Sequence, residues 1–148
     1  MPYDFKDITS ANAYAEAEAN GCTVKIPAPN QLFVDIDDQD GAMWFCLNIG
    51  KVSEQIGVVD TERHPSRSGN PLHEHIIVTL GREVSEMERV LMQAFLGSDR
   101  KREALSWVRL VNNDPNPTIF YEKKPLQLPA PVEPPAVADI LGPEDYPF

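Results

Sequence analysis

An α+β domain, an antiparallel sheet with helices packed against it, is what the residue periods along this 148-residue chain predict. Three observations carry that expectation. Val34-Asp35-Ile36-Asp37 alternates apolar and acidic residues in a strand read over Gln31 to Asp37, with a further strand over Leu72 to Leu80; apolar residues keep helical spacing between Ala42 and Val52; and Ser85 with Glu88 forms a capping box that opens a further helix. Taken in order, Ser10 caps a short helix through the Ala-rich segment to Asn20, with Gly21 as its stop. Thr23 to Ile26 reads as a strand, and Pro27, Pro29 and Asn30 as the turn before Gln31 to Asp37. Asp40-Gly41 opens a helix whose stripe is Ala42, Phe45, Cys46, Ile49 and Val52. Val58 to Arg63 and Leu72 to Leu80 are strands joined by the polar segment Pro65 to Pro71. Met87, Leu91, Ala94 and Phe95 are the expected buried stripe of the capped helix. A helix over Arg102 to Val111 follows, and Asp114-Pro115-Asn116-Pro117 turns into a last strand, Thr118 to Tyr121.

From Gln31 onward the order is strand, helix, strand, strand, helical region, strand. That is the ferredoxin-like or RNA-recognition-motif-like arrangement, preceded by a helix-strand extension and followed by a Pro-rich tail. The expected organisation is 1–30 for the extension, 31–124 for the sheet module and 125–148 for the tail. In such a sheet the first and third strands are central neighbours, so its open face would bring Asp35, Asp37 and His73 together.

Composition narrows the function. The formal charge is −10 and hydrophobic residues make up 42%. So acidic a chain is a poor general coat for nucleic acid, since phosphate binding needs cations to displace counterions. The charge is nonetheless patterned: Arg63, Arg67, Arg82, Arg89, Arg100, Lys101, Arg102 and Arg109 form a basic middle, while acids crowd residues 35 to 40 and the tail. No apolar run is long enough for a membrane span and Met1 to Asp7 has no secretory character, so a cytoplasmic protein without a membrane partner is expected. Cys22 and Cys46 lack metal spacing and read as reduced, buried small hydrophobes.

Three short stretches carry the chemistry. In Val34-Asp35-Ile36-Asp37 the two-residue period puts both carboxylates on one face, a seat for a divalent cation that takes its remaining ligands from substrate phosphates. In Ser68-Gly69-Asn70-Pro71-Leu72-His73, a glycine allows close backbone approach while Ser68 and His73 offer donors to phosphate oxygens, and His75 shares the face of His73. Gly97-Ser98-Asp99 supplies a third acid just before Arg100, Lys101 and Arg102. Each piece has a plainer explanation: a solvated mixed-charge face for the basic run, a hairpin connection for Ser-Gly, a helix cap for the second Asp.

Together the stretches resemble the archaeo-eukaryotic primase superfamily, the primase-polymerases, whose module has an hhhDhD strand, an S-G-x-x-x-H motif leading into a second strand and a later acid. Leu32-Phe33-Val34-Asp35-Ile36-Asp37 and Ser68 to His73 match those motifs over roughly residues 31–124, with Pro71 standing where a second glycine is usual. The resemblance implies nucleotidyl transfer from an NTP or dNTP to a nucleic-acid 3′-hydroxyl. Asp35, Asp37 and Asp99 would be catalytic and would hold Mg2+ or Mn2+, with Glu122 the rival third acid. Ser68, Gly69 and His73 would bind nucleotide, and Arg109, Lys123 or Lys124 would neutralise the leaving group or contact a single-stranded or template strand. A compact module of this kind would suit a phage or mobile element. His73-Glu74-His75 also resembles the paired histidines of rolling-circle replication nucleases, but the middle residue is acidic and Tyr121 falls on a strand.

Seven of the fourteen prolines lie from Pro125 onward, making an extended spacer. Its end, Gly142 to Phe148, resembles the acidic tip of bacterial single-stranded DNA-binding proteins, which implies capture of a replication or repair partner through Asp145, Pro147 and Phe148. The alternative function is therefore a non-catalytic single-strand binder that recruits partners through its tail. An acidic nucleic-acid mimic is a third reading, one that leaves Ser68 to His73 without a role.

Overall fold

The computed structural model describes residues 6–65 and 70–123. Among them the order is α1 (Ser10–Ala19), β1 (Cys22–Lys25), β2 (Gln31–Ile36), α2 (Gln39–Ile56), β3 (Val58–Pro65), β4 (Glu74–Leu80), α3 (Glu86–Phe95), α4 (Arg100–Val111) and β5 (Phe120–Lys123). The α+β class is as expected. The strands form two antiparallel sheets, one ordered β2-β4-β3 and the other pairing β1 with β5. No helix among the described residues is long and apolar enough to cross a membrane.

The pleat of β2 divides the core. Leu32, Val34 and Ile36 point to one face, where they meet Ile76, Val78 and Leu80 of β4, Phe45 and Val52 of α2, and Leu96 after α3. Phe33 points to the other face and joins Ile77 and Phe120 in a second cluster. The Phe33 and Phe120 rings stack at 4.5 Å between centroids. The sheet face expected to be open is thus partly covered by β5.

The β2-β4-β3 order places the first and third strands of the module side by side, as expected, with Asp35 opposite His75. In a ferredoxin-like sheet the last strand lies beside the first; here β5 instead pairs with β1, Cys22 opposite Lys123 through Lys25 opposite Phe120. The reason lies in the outer edge of β2, whose backbone groups are already satisfied. Gln31 N donates to Ala28 O at 2.9 Å, and Gln31 O accepts from Arg89 Nε at 2.8 Å. Phe33 N donates to Gln93 Oε1 at 2.8 Å, and Phe33 O accepts from Arg102. Asp35 N donates to Ser98 Oγ at 3.0 Å, and Asp35 O accepts from Asp99 N at 2.7 Å. Side chains and one loop thus replace a neighbouring strand and close an edge that would otherwise invite pairing.

That edge also inverts α3. Its expected stripe faces outward, with Met87, Leu91 and Phe95 exposed, Leu91 at 61%. The buried face carries Arg89, Val90 and Gln93. Arg89 is 1% exposed and donates further to Ala28 O and Pro29 O, with Glu86 as its ion-pair partner. The capping box of Ser85 and Glu88 forms as read.

Thr9, not Ser10, is the N-cap of α1, accepting from Asn12 N. Asp38 caps α2, which starts one residue before Asp40. Cys22 is buried as expected whereas Cys46 is exposed. The basic middle is divided: Arg89 and Arg109 are buried and Arg102 is mostly covered, whereas Arg63, Arg82, Arg100 and Lys101 are exposed, Arg82 pairing with Glu88 and Arg63 with Glu74.

The expected N-terminal extension is bound into the module through β1 and through Ser10, whose N–H and hydroxyl both donate to Asp114. Burial pushes the Asp114 carboxyl up, but these bonds and one from Asn116 N–H outweigh it and hold the group below its usual 3.8. A carboxylate depressed in the folded state contributes stability above its unfolded pKa and loses it as pH falls through the folded value. Asp114→Asn is therefore expected to cost about 1 kcal/mol at pH 7 and to flatten the acid limb of stability below about pH 4. Denaturation midpoints from pH 2 to 7 measure this, and an acid limb identical to the parent's would contradict it.

Candidate nucleotide site

Four side chains from β2 and the entry to β4 converge at one end of the larger sheet. Asp35 is the penultimate residue of β2 and Asp37 lies just beyond it; His75 is in β4 and His73 immediately precedes it. His73 was expected to begin the strand and stands one residue outside. His75 Nε2 lies 3.5 Å from Asp35 Oδ1, and His73 Nε2 lies 3.2 Å from Asp37 Oδ1. The imidazole of His75 stacks on Phe120 at 4.1 Å, with Arg102 over the same ring at 4.5 Å. Phe120 therefore sets the plane of the histidine facing Asp35.

Electrostatics distinguish the two acids. Burial pushes the Asp35 carboxyl up; the Arg102 guanidinium opposes this, Asp99 and Asp37 reinforce it, and His73 opposes it weakly. A carboxylate raised by burial and by like charges gains from a cation placed among them. Asp37 is half exposed and turns toward solvent.

The third stretch lies against this site. Gly97 has φ +86, and a β-carbon there would collide with the Gly41 carbonyl oxygen and come within 2.9 Å of Trp44 Cβ. Only glycine fits that approach. The tight turn lets Ser98 Oγ and Asp99 N hold both backbone groups of Asp35. Ser98 Oγ in turn donates to Glu103 Oε1 at 2.9 Å, and Glu103 accepts from Gln93 and Arg102. Burial raises the Glu103 carboxyl while these donors oppose the rise. Gln93, Ser98, Arg102 and Glu103 thus form a buried network that fixes the backbone of the strand bearing the acids.

This network was not anticipated from sequence, where Gln93 and Glu103 look like ordinary helix residues. Gly97→Ala is expected to cost about 2–4 kcal/mol. Urea denaturation reads the effect, and an unchanged midpoint would show that the turn relaxes freely.

The other expected site residues distribute unevenly. Asp99 is near Asp35 but its side chain caps α4, accepting from Arg102 N at 3.1 Å. Among the described residues no group of three His, Cys, Asp or Glu could hold a metal ion. Asp35 and Asp37 thus stand as two carboxylates at this end of the sheet, with Asp99 an electrostatic neighbour of Asp35. Glu122 lies on β5 and pairs with Lys25 at 3.6 Å. Arg109 is 7% exposed and donates to Pro117 O at 3.2 Å, so burial makes it a packing residue of α4 in place of the expected surface cation. Ser68, Gly69, Lys124, Asp145, Pro147, Phe148 and the side chain of Lys123 lie outside the described residues.

No family model, curated protein or solved structure matches this chain. Its chemistry therefore rests on the arrangement of its own residues. Next to Asp37 a cleft of about 500 Å³ opens between the start of α2 and the α3–α4 turn, with Trp44 and Phe95 among its walls.

Proposed function

We propose that this chain is a replication or repair protein of primase-polymerase type, moving a nucleotidyl group from an NTP or dNTP to a nucleic-acid 3′-hydroxyl. The observation that supports it best is the meeting of the two sequence-distant motifs: Asp35 faces His75 and Asp37 faces His73 across β2 and β4. A module of recognition-motif type, with β5 displaced, is the fold that goes with this reading. Asp35 and Asp37 hold Mg2+ or Mn2+, which when bound supplies positive charge for the triphosphate. His73, with Ser68 and Gly69 of the same motif, binds phosphate oxygens. In the transfer a bond forms between the 3′-oxygen and the α-phosphorus, the bond to the bridging oxygen breaks, pyrophosphate leaves and the hydroxyl proton passes to solvent. The buried network around Ser98 and Glu103 keeps Asp35 in place without reaching the substrate.

A non-catalytic single-strand binder has weaker support. Its sheet-face aromatics would have to stack bases, yet Phe33 and Phe120 are buried against each other. In either case Asp145, Pro147 and Phe148 would serve as the recruiting tip for a replication or repair partner. Incubating the full chain with a primed template, dNTPs and Mn2+ tests the proposal. Primer extension that Asp37→Asn removes is the expected result; oligonucleotide binding with no extension under Mn2+ or Mg2+ would favour the binder.

A further inference from the structure

We propose that the cleft beside Asp37 is the seat of the nucleotide's base, with Trp44 as the surface on which the base stacks. This rests on the reading of Asp35 and Asp37 as the cation and phosphate end of the same site. The cleft, about 500 Å³, is large enough for a nucleoside and has Asp37 in its lining, so a ligand held there is continuous with the proposed phosphate site.

Its walls suit a flat heterocycle. Trp44 is 50% exposed on the first turns of α2, and Phe95, also exposed, stands at the end of α3. Two aromatic residues left in solvent at one cleft are costly unless something planar covers them. Asn48 Nδ2 donates to Phe95 O at 2.9 Å, and the Gly41–Gly97 approach fixes the backbone behind Trp44, so the aromatic walls stand on a rigid support. Trp44 falls outside the apolar stripe of α2, and Phe95 belongs to the α3 stripe that the structure turns outward.

The charged groups set the direction in which the ligand lies. Asp38 accepts from Gly41 N and Asp99 from Arg102 N, so these two carboxylates are engaged as helix caps. Asp40 also lines the cleft and remains an acceptor suited to base N–H groups, while a bare phosphate deep in the cleft would face Asp38, Asp40 and Asp99. The phosphates therefore belong at the Asp37 end, where a cation offsets the carboxylates, and the base at the Trp44 end. Arg100, which also lines the cleft, is the lining's cation for the sugar-phosphate link.

The test separates the base from the phosphates. In full-length protein carrying Trp107→Phe, Trp44 is the remaining tryptophan, and its emission is followed while Mn2+ with ATP, or Mn2+ with inorganic tripolyphosphate, is titrated. ATP is expected to quench Trp44 and to bind about ten-fold tighter than tripolyphosphate. Calorimetry on Trp44→Ala should show ATP falling to the tripolyphosphate level, with tripolyphosphate itself unaffected; Trp44→Phe should recover most of the loss. Equal affinity for ATP and tripolyphosphate, with Trp44→Ala silent, would overturn the base seat and leave the cation-phosphate reading standing. Absence of binding by either ligand in the presence of Mn2+ would overturn both.

Discussion

Asp35→Ala combined with Asp37→Ala is expected to abolish cation-dependent nucleotide binding while leaving the protein as stable as the parent or slightly more so. The two halves of this expectation have one cause. Burial and the neighbouring acids raise the Asp35 carboxyl against the opposing Arg102, so ionising it costs more in the folded protein than in the unfolded chain. The stability associated with a raised carboxyl is present when it is protonated and is lost as pH rises through its folded pKa, so removing the group at pH 7 relieves a strain. What anchors residue 35 is its backbone, bonded to Ser98 and Asp99, and alanine keeps those bonds. The contacts with His75 and His73 are partly exposed and worth no more than about 1 kcal/mol each. A double variant that unfolds would show that the acids hold the sheet together; one that binds nucleotide as before would remove them from the site.

Arg89→Leu is expected to have the largest effect on stability, about 3–5 kcal/mol. The guanidinium serves Gln31 O, Ala28 O and Pro29 O and balances the Glu86 carboxylate. Leucine would leave these acceptors without their donor in a region that excludes water, and would uncover the start of the β2 edge. Chemical denaturation measures it. A loss below about 1 kcal/mol would mean that water reaches these carbonyls and that the arginine is ornamental.

Much of the fold was legible because its local rules operate alone. The alternation in Val34 to Asp37, the capping box at Ser85 and the punctuation by Gly21 depend on neighbouring residues only. The misread elements are those decided by distant partners. The Met87, Leu91 and Phe95 stripe satisfies every rule of amphipathicity, yet the helix turns its Arg89 and Gln93 side inward because β2 lacks a strand on that edge. The same missing neighbour sends β5 to β1, a pairing between segments near opposite ends of the described chain that no periodicity encodes.

The site shows the same division. The acid pair and the histidines are found from spacing, since the pleat dictates which residues share a face. Their partners are less visible. Asp99 carries a carboxylate at the right place in the sequence, but its geometry is that of a helix cap, and Gly97 and Ser98 beside it prove to be the elements that dock on Asp35. Glu103, the acceptor at the centre of the buried network, has nothing in its local sequence to distinguish it from the other charges of α4.

Calorimetric titration of ATP into the full chain, with Mn2+ and then with the cation chelated away, tests most directly whether Asp35 and Asp37 form a cation-dependent nucleotide seat. Saturable binding with Mn2+ that vanishes on chelation is the expected result. Equal affinity with and without the cation, or no binding in either condition, would contradict it.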